Sequence, residues 1–496
     1  MKKLELVWPG KDDASIPPEP RILIERSDLS NAAHDPATPN MLIHGDNLLV
    51  LKALEQKFAG KVKCIYIDPP YNTGAAFEHY DDNFEHSTWL SLMRPRLELL
   101  RKLLADDGVI FVQIDDNEQA YLKVMMDEIF GRSCYINQIV WKRRGGSANP
   151  SNRLNNVTDY ILWYSKGQNY TIFPAYSKDD ESTQAYIEER FKNELNGRRY
   201  MLAPVERNAK LGMRETMRYE YKGYIPKYGW MMSKDNLEKL DQSERLHWNG
   251  KGRPNRRVFL DEYKGQPISS LWTDIFVINP MSGERMDFDG GQKPEALIQR
   301  ILELCTNPGD LVLDSFLGSG TTAAVAHKMR RRYIGIEIGD HAYTHCKTRL
   351  DKVIAGEDQG GITKSAGWTS GGGYRFYELA PTLIKIDEYG QATINEAYSE
   401  EMLAEAVALH EGFTYEPDSA LFWKQSRGSE KSYLYVTSGF VSRELVEAIY
   451  STMSSDEYLI IACKSYDSGI KIPNITIKKI PQSILGRCEF GKSDYI

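Results

Sequence analysis

The sequence predicts an α/β protein built on a doubly wound, mostly parallel sheet, and three observations carry that prediction. Apolar β-branched runs alternate with helical periodicity over 41–130 and again over 294–354. A glycine turn, "DSFLGSGTT" at 314–322, follows one such run and opens a helix. An acid-proline-aromatic cluster, "DPPY" at 68–71, follows another, at the carboxyl end of a strand where open α/β sheets bind their ligands.

The elements follow in order. Residues 1–40 are polar and proline-rich and read as an N-terminal arm. The first half of the α/β domain, 41–141, holds strand Met41–His44, helix Asn47–Phe58, strand Val62–Ile67, helix Thr88–Leu104 kinked at Pro95, strand Val109–Ile114 and helix Asn117–Phe130. An insertion spans 142–285. The second half, 286–380, resumes with helix Pro294–Cys305, strand Asp310–Asp314, helix Thr321–Arg330, strand Tyr333–Glu337 and helix His341–Ile354. A glycine-rich stretch from Gly356 to Phe376 reads as a loop leading into a last segment, 381–496, which holds a small strand-helix-strand unit and is expected to serve dimerisation or partner docking.

Composition limits the class. At 496 residues with 41% hydrophobic content, the chain can bury a large core divided among several domains. No apolar run approaches the ~20 residues of a membrane span, and the lysines at positions 2 and 3 have no apolar segment behind them, so a soluble, cytoplasmic protein without a membrane partner is expected. Six widely spaced cysteines without a CxxC pair read as reduced thiols. His341 and His345 lie four apart without a third ligand, which reads as a solvated helix face and no metal site.

The net charge of −7 argues against blanket affinity for nucleic acid, but the charge is unevenly spread. Lys142, Arg143, Arg144 and Arg153 lie in one acid-free stretch, and Arg253, Arg256 and Arg257 in another. Between them a basic run is interleaved with Tyr200, Tyr219, Tyr221 and Tyr224. The insertion therefore reads as a phosphate-tracking surface, with a solvated irregular loop as the plain alternative.

Two motifs carry chemistry. Gly318 and Gly320 form a tight turn that lets a ligand approach the backbone at a helix N-terminus, and Glu337 ends the following strand, near the ~20-residue spacing of an acid that accepts from ribose hydroxyls. An adenosine-containing ligand is the inference; the loop alone does not separate a nicotinamide dinucleotide from S-adenosylmethionine. At the other motif, Asp68 and a proline carbonyl converge as two acceptors, Pro69 and Pro70 restrict the backbone, and Tyr71 offers a flat face. Two acceptors beneath a stacking ring suit a planar heterocycle bearing an NH₂ group. Accepting both of its protons localises the nitrogen lone pair toward an incoming methyl group.

"DPPY", "DSFLGSGTT" and "YIGIE" together resemble the DNA amino-methyltransferases, and "LIHGDNLLVLKAL", "IVWKRR" and "GGQKPEALIQRILELCTNPGD" are similar to the modification subunits of type III restriction–modification systems. The resemblance covers most of 41–380. It implies a Rossmann-like S-adenosylmethionine-dependent methyltransferase fold, circularly permuted, because the DPPY loop precedes the glycine loop. In a sheet of order 3-2-1-4-5 the two loops follow neighbouring strands whichever is made first. The resemblance further implies that Asp68 and the Pro69 carbonyl hold the target amine, with Pro70 fixing the turn and Tyr71 stacking on a flipped base. Asp46, Lys293, Asp314, Phe316, Gly318, Gly320, Thr321, Thr322 and Glu337 then line the cofactor site. Asp rather than Ser at position 68 favours adenine N6 over cytosine N4. Double-stranded DNA, a second copy of the chain and a helicase-nuclease restriction subunit are the implied partners. A nicotinamide dehydrogenase leaves DPPY unexplained; a glutamine methyltransferase carries Asn in place of Asp68. A DNA-recognition subunit without catalysis remains as the third alternative.

Overall fold

The computed structural model describes residues 4–11, 17–72, 76–77, 80–81, 85–144, 154–288 and 291–492. The chain divides into two compact units, one made of 1–173 with 275–496 and the other of 174–274. Both boundaries fall inside the 142–285 span expected for the insertion, because the strands on either side of residue 150 belong to the main sheet.

In the larger unit the strands are β1 (Leu23–Glu25), β2 (Met41–His44), β3 (Val62–Ile67), β4 (Leu104–Ile114), β5 (Tyr135–Lys142), β6 (Thr158–Ser165), β7 (Leu311–Asp314), β8 (Arg332–Glu337) and β9 (Arg375–Leu379). They lie in the order β1-β9-β2-β8-β7-β3-β4-β6-β5. From β9 to β4 every neighbouring pair is parallel, while β1, β6 and β5 run antiparallel to their neighbours. The order β2-β8-β7-β3-β4 is 3-2-1-4-5 in a permuted chain. Strands β2 and β3 are joined through one helix yet leave two positions open between them, and β7 and β8, made more than 240 residues later, fill the gap.

Helices α1 (Asn47–Phe58), α2 (His86–Leu103), α3 (Gln119–Met126), α4 (Glu295–Cys305), α5 (Thr321–Lys328) and α6 (Thr348–Ala355) accompany this sheet. Asp46 caps α1 by accepting from the Leu49 amide at 3.1 Å, and Leu48, Leu49, Val50, Leu51 and Leu54 make its buried side. The strands are apolar on both faces, as buried parallel strands are: Cys64, Ile65, Tyr66 and Ile67 of β3 and Val109–Val112 of β4 are all inaccessible or nearly so.

Several elements differ from expectation. The helix expected over 117–130 ends as α3 at Met126 and continues as a π-turn over Asp127–Gly131; that expected over 341–354 begins as a π-turn, Ala342–Lys347, before α6. The wider turn at 342–347 brings Cys346 against the glycine loop, where its Sγ donates to the Gly318 carbonyl at 3.1 Å. The stretch expected as a linker ends in β9, which pairs in parallel with β2, and the expected arm supplies β1 on its far side. Neither strand has a local partner, so a local pattern could not place them.

In the last segment α7 (Glu400–Glu411), β10 (Ser432–Val441), α8 (Arg443–Thr452), β11 (Tyr458–Tyr466) and β12 (Ile475–Lys479) form a smaller α/β layer with β10, β11 and β12 parallel. Its core includes Ile22 of the N-terminal region along with Leu383, Leu403, Val407 and Leu434, so it belongs to the same compact unit.

The 174–274 unit is built on an antiparallel sheet of Asn193–Leu195, Arg198–Pro204, Pro254–Phe259 and Leu246–Trp248. Trp230 is fully buried at its centre, ringed by Tyr219, Tyr221, Tyr224 and Trp248. Tyr219, Tyr221 and Tyr224, expected on a phosphate-tracking surface, therefore pack around the unit's own core, with their hydroxyls held by the Met232 carbonyl, Asp241 and Glu206.

Candidate active site

Parallel pairing of β3 with β7 (Cys64 opposite Val312, Ile65 opposite Leu313) sets the DPPY loop beside the glycine loop, both at the carboxyl ends of their strands. Each loop is rigidly held. Trp89 of α2, fully buried, donates its indole N–H to the Pro70 carbonyl at 2.8 Å and so anchors the turn. The Tyr71 hydroxyl donates to Asp159 at 3.2 Å and accepts from Gln113 at 2.9 Å, and Gln113 also bonds Asp159 and Tyr66. Burial and the neighbouring Asp68 and Asp159 carboxylates hold the Tyr71 phenol well above its ordinary range, so it stays protonated as a donor. Asn72, at φ +60°, donates to the buried Glu118 at 2.7 Å and closes the turn.

Asp68 has two differently placed oxygens. Oδ1 is buried and has no hydrogen-bond partner among the described residues; Oδ2 accepts from the Lys293 ammonium. That ammonium also lies 5.3 Å from the centroid of the Tyr71 ring. Lys293, expected to line the cofactor site, sets its charge on Asp68 of the DPPY loop, while its backbone carbonyl accepts from Thr321 beside the glycine turn.

The glycine loop is shaped from below by Asp314. Its Oδ1 accepts from the Phe316 amide at 3.0 Å and its Oδ2 from the Thr322 hydroxyl at 2.6 Å. Complete burial, only partly offset by these bonds, raises its pKa to about 7. Asp314 and Thr322 thus hold the loop in shape, and the Phe316 ring joins the main core. Gly318 and Gly320 have φ of +54° and +81°, and a side chain at Gly320 would come within 3.1 Å of the Cys346 Cα. Glu337 ends β8 against this turn, accepting from the Gly318 and Gly339 amides at 2.7 and 2.9 Å. Thr321 donates to the Lys293 carbonyl at 3.2 Å and accepts from Arg349 at 2.9 Å. Asp46 spends one oxygen on the α1 cap and the other on buried Arg96 at 3.2 Å. His341 and His345, expected on a solvated face, stack edge-on around Phe288 with ring centroids 5.0 and 5.4 Å away, beside the Gly318 turn.

The profile of the DNA methylase family matches residues 62–348, more than half of the chain. The chain belongs to the DNA methylase family. It is 37% identical over 421 residues to the probable type III restriction-modification enzyme HindVI Mod subunit of Haemophilus influenzae, covering 70% of this chain and 55% of that protein. It is also 34% identical over 366 residues to the type II methyltransferase M.EcaI of Enterobacter cloacae, covering 71% of this chain and 78% of that enzyme. The methylase chain described here thus spans a little over half the length of the Haemophilus protein. The solved complex of M1.HpyAVI with SAM is 20% identical, with a TM-score of 0.33, over 63% of this chain and 99% of that one, too distant a likeness to carry an argument.

The methylase site also contains residues that sequence reasoning missed. Trp89, Gln113 and Asp159 all serve the DPPY turn, and Gln113 carries a legible signal as the one polar residue in the apolar run Val109–Ile114. Of the expected DNA contacts, Lys142 ends β5, Arg144 is exposed, and Arg143 pairs with Asp159 at 3.2 Å. In the 174–274 unit Arg253 and Arg256 are exposed, whereas Arg257 spends its guanidinium on the Glu244 and Leu246 carbonyls. Arg153 lies outside the described residues. Among the described residues no helix is long and apolar enough to cross a membrane.

Proposed function

We propose that this chain transfers a methyl group from S-adenosylmethionine to the N6 amine of a flipped adenine in double-stranded DNA, as the modification partner of a restriction–modification system. The observation that carries this reading is the meeting of two loops at adjacent strand ends. One presents, beside an aromatic ring, a buried carboxylate oxygen with no partner among the described residues; the other presents a glycine turn backed by an acid. The cradle fits an adenosine ligand: Gly318 and Gly320 expose backbone at the N-terminus of α5, and Glu337 sits where ribose hydroxyls would donate. The cofactor, when bound, supplies an electrophilic methyl group on a sulfonium.

Everything else falls to the protein. Asp68 Oδ1 and the Pro69 carbonyl accept the two amine protons and so localise the nitrogen lone pair; Asp68 then carries the proton that the methylated amine sheds. Tyr71, fixed through its hydroxyl, stacks on the extruded base and offsets part of the few kcal/mol that flipping costs. Positioning supplies most of the rate. Asp at position 68, and kinship with Mod subunits, favour adenine over cytosine and a helicase-nuclease partner. A homodimer is proposed with them, and the six unpaired, buried cysteines fit a cytoplasmic setting.

The test is incubation of the protein with S-adenosylmethionine and unmethylated genomic DNA, followed by nucleoside mass spectrometry. N6-methyladenine is the expected product. N4-methylcytosine would overturn the choice of base, and no methylated nucleoside would overturn the activity.

A further inference from the structure

The two groups that define the target site, the Asp68 carboxylate and the face of Tyr71, are both already engaged by one side chain. Lys293 places its ammonium on Asp68 Oδ2 and 5.3 Å from the centre of the Tyr71 ring. A donor N–H on the acid and a group set near the ring occupy the places that the amine and the stacked ring of a base would take there. The lysine backbone, by contrast, is fixed. Its carbonyl accepts from Thr321 at the start of α5, Arg349 holds Thr321, and Arg349 in turn pairs with Glu295, two residues beyond Lys293. Glu295 is fully buried and also binds Lys328, which is equally buried. The lysine side chain, about 15% exposed, reaches Asp68 through its ammonium, which also donates to the Gly291 carbonyl at 3.5 Å.

We propose that Lys293 is a place-holder for the target amine, seated on Asp68 and displaced when the base enters. The inference rests on the methyltransferase reading and adds to it a competition: the ammonium and the target nitrogen contend for Asp68. The pair spares the Asp68 carboxylate from standing as a lone, half-buried charge between turnovers. It also opposes entry of any base whose amine cannot replace the ammonium's contacts.

The test compares methyl transfer to unmethylated genomic DNA by the wild type, Lys293→Met and Lys293→Arg, with KM for DNA and kcat measured separately. Removing the competitor lowers KM for DNA by about two- to fivefold, the worth of one partly exposed ion pair, and the bidentate guanidinium raises it. An unchanged or raised KM in Lys293→Met, with kcat lowered, would overturn the place-holder and make Lys293 a positioning residue for Asp68. If Lys293→Met does not fold, as judged by circular dichroism, the Lys293→Arg arm still decides, because a KM equal to or below that of the wild type contradicts the competition. A wild type that methylates no DNA refutes the underlying activity instead, so the two failures are told apart.

Discussion

Asp68 makes the sharpest demand of any single residue. Its Oδ1 is a buried acceptor without a partner among the described residues, so Asp68→Ala is expected to lower kcat by about 10²–10⁴ while leaving S-adenosylmethionine binding, measured by calorimetry, within a few-fold of wild type. Asp314 makes a different demand, on pH. Its folded pKa, about 7, lies above the ordinary value of 3.8, so the folded state binds the extra proton and this residue's contribution to stability falls as pH rises from about 4 to 7. Asp314→Asn can keep bonds to Phe316 and Thr322 without the titration. Urea midpoints of variant minus wild type should therefore rise between pH 5 and pH 8; a flat difference would refute the assignment.

At the scale of elements, the turn before α5 and the buried ion-pair network behind it set the cofactor half. Gly320→Ala must hold a side chain at φ +81° and 3.1 Å from Cys346, whereas Gly309→Ala, at φ +86°, meets nothing within 4 Å. Both are expected to lose about 1 kcal/mol to backbone strain, but only Gly320→Ala should also weaken cofactor binding, by about tenfold or more in calorimetry. Glu295 joins Lys328, Arg349 and the Ile362 amide with no exposure of its own. Removing its charge by Glu295→Gln leaves two buried cations underpaired and should cost about 3–5 kcal/mol in urea unfolding.

For the whole molecule, the division of labour between two compact units gives a prediction about DNA. Arg253 and Arg256 are exposed on the 174–274 unit, so replacing both with Ala should weaken genomic DNA binding and reduce the slope of log affinity against log salt by about 2, without changing cofactor affinity. Arg257→Ala should act otherwise. Its guanidinium holds backbone carbonyls, so it should lower stability more than the salt slope.

What the sequence determined by itself was the sheet and its two loops. Strands β2, β3, β7 and β8 announce themselves by apolar runs, their carboxyl ends by Asp68 and Asp314, and the loop conformations by prolines and glycines whose backbone limits are local. The convergence of the loops was legible too, since strand order in a doubly wound sheet makes neighbours of strands far apart in the chain. Only the tertiary structure decided what each side chain near the loops does. Lys293 lies 225 residues from Asp68, Trp89 19 from Pro70 and Asp159 88 from Tyr71. The same held for the tyrosines of the insertion, whose spacing fits a stacking surface and a core equally until Trp230 takes its place among them. Periodicity and turn chemistry act between residues close in sequence. Ion pairs and buried hydrogen bonds act across whatever distance in the chain the fold has closed, and no local pattern records them.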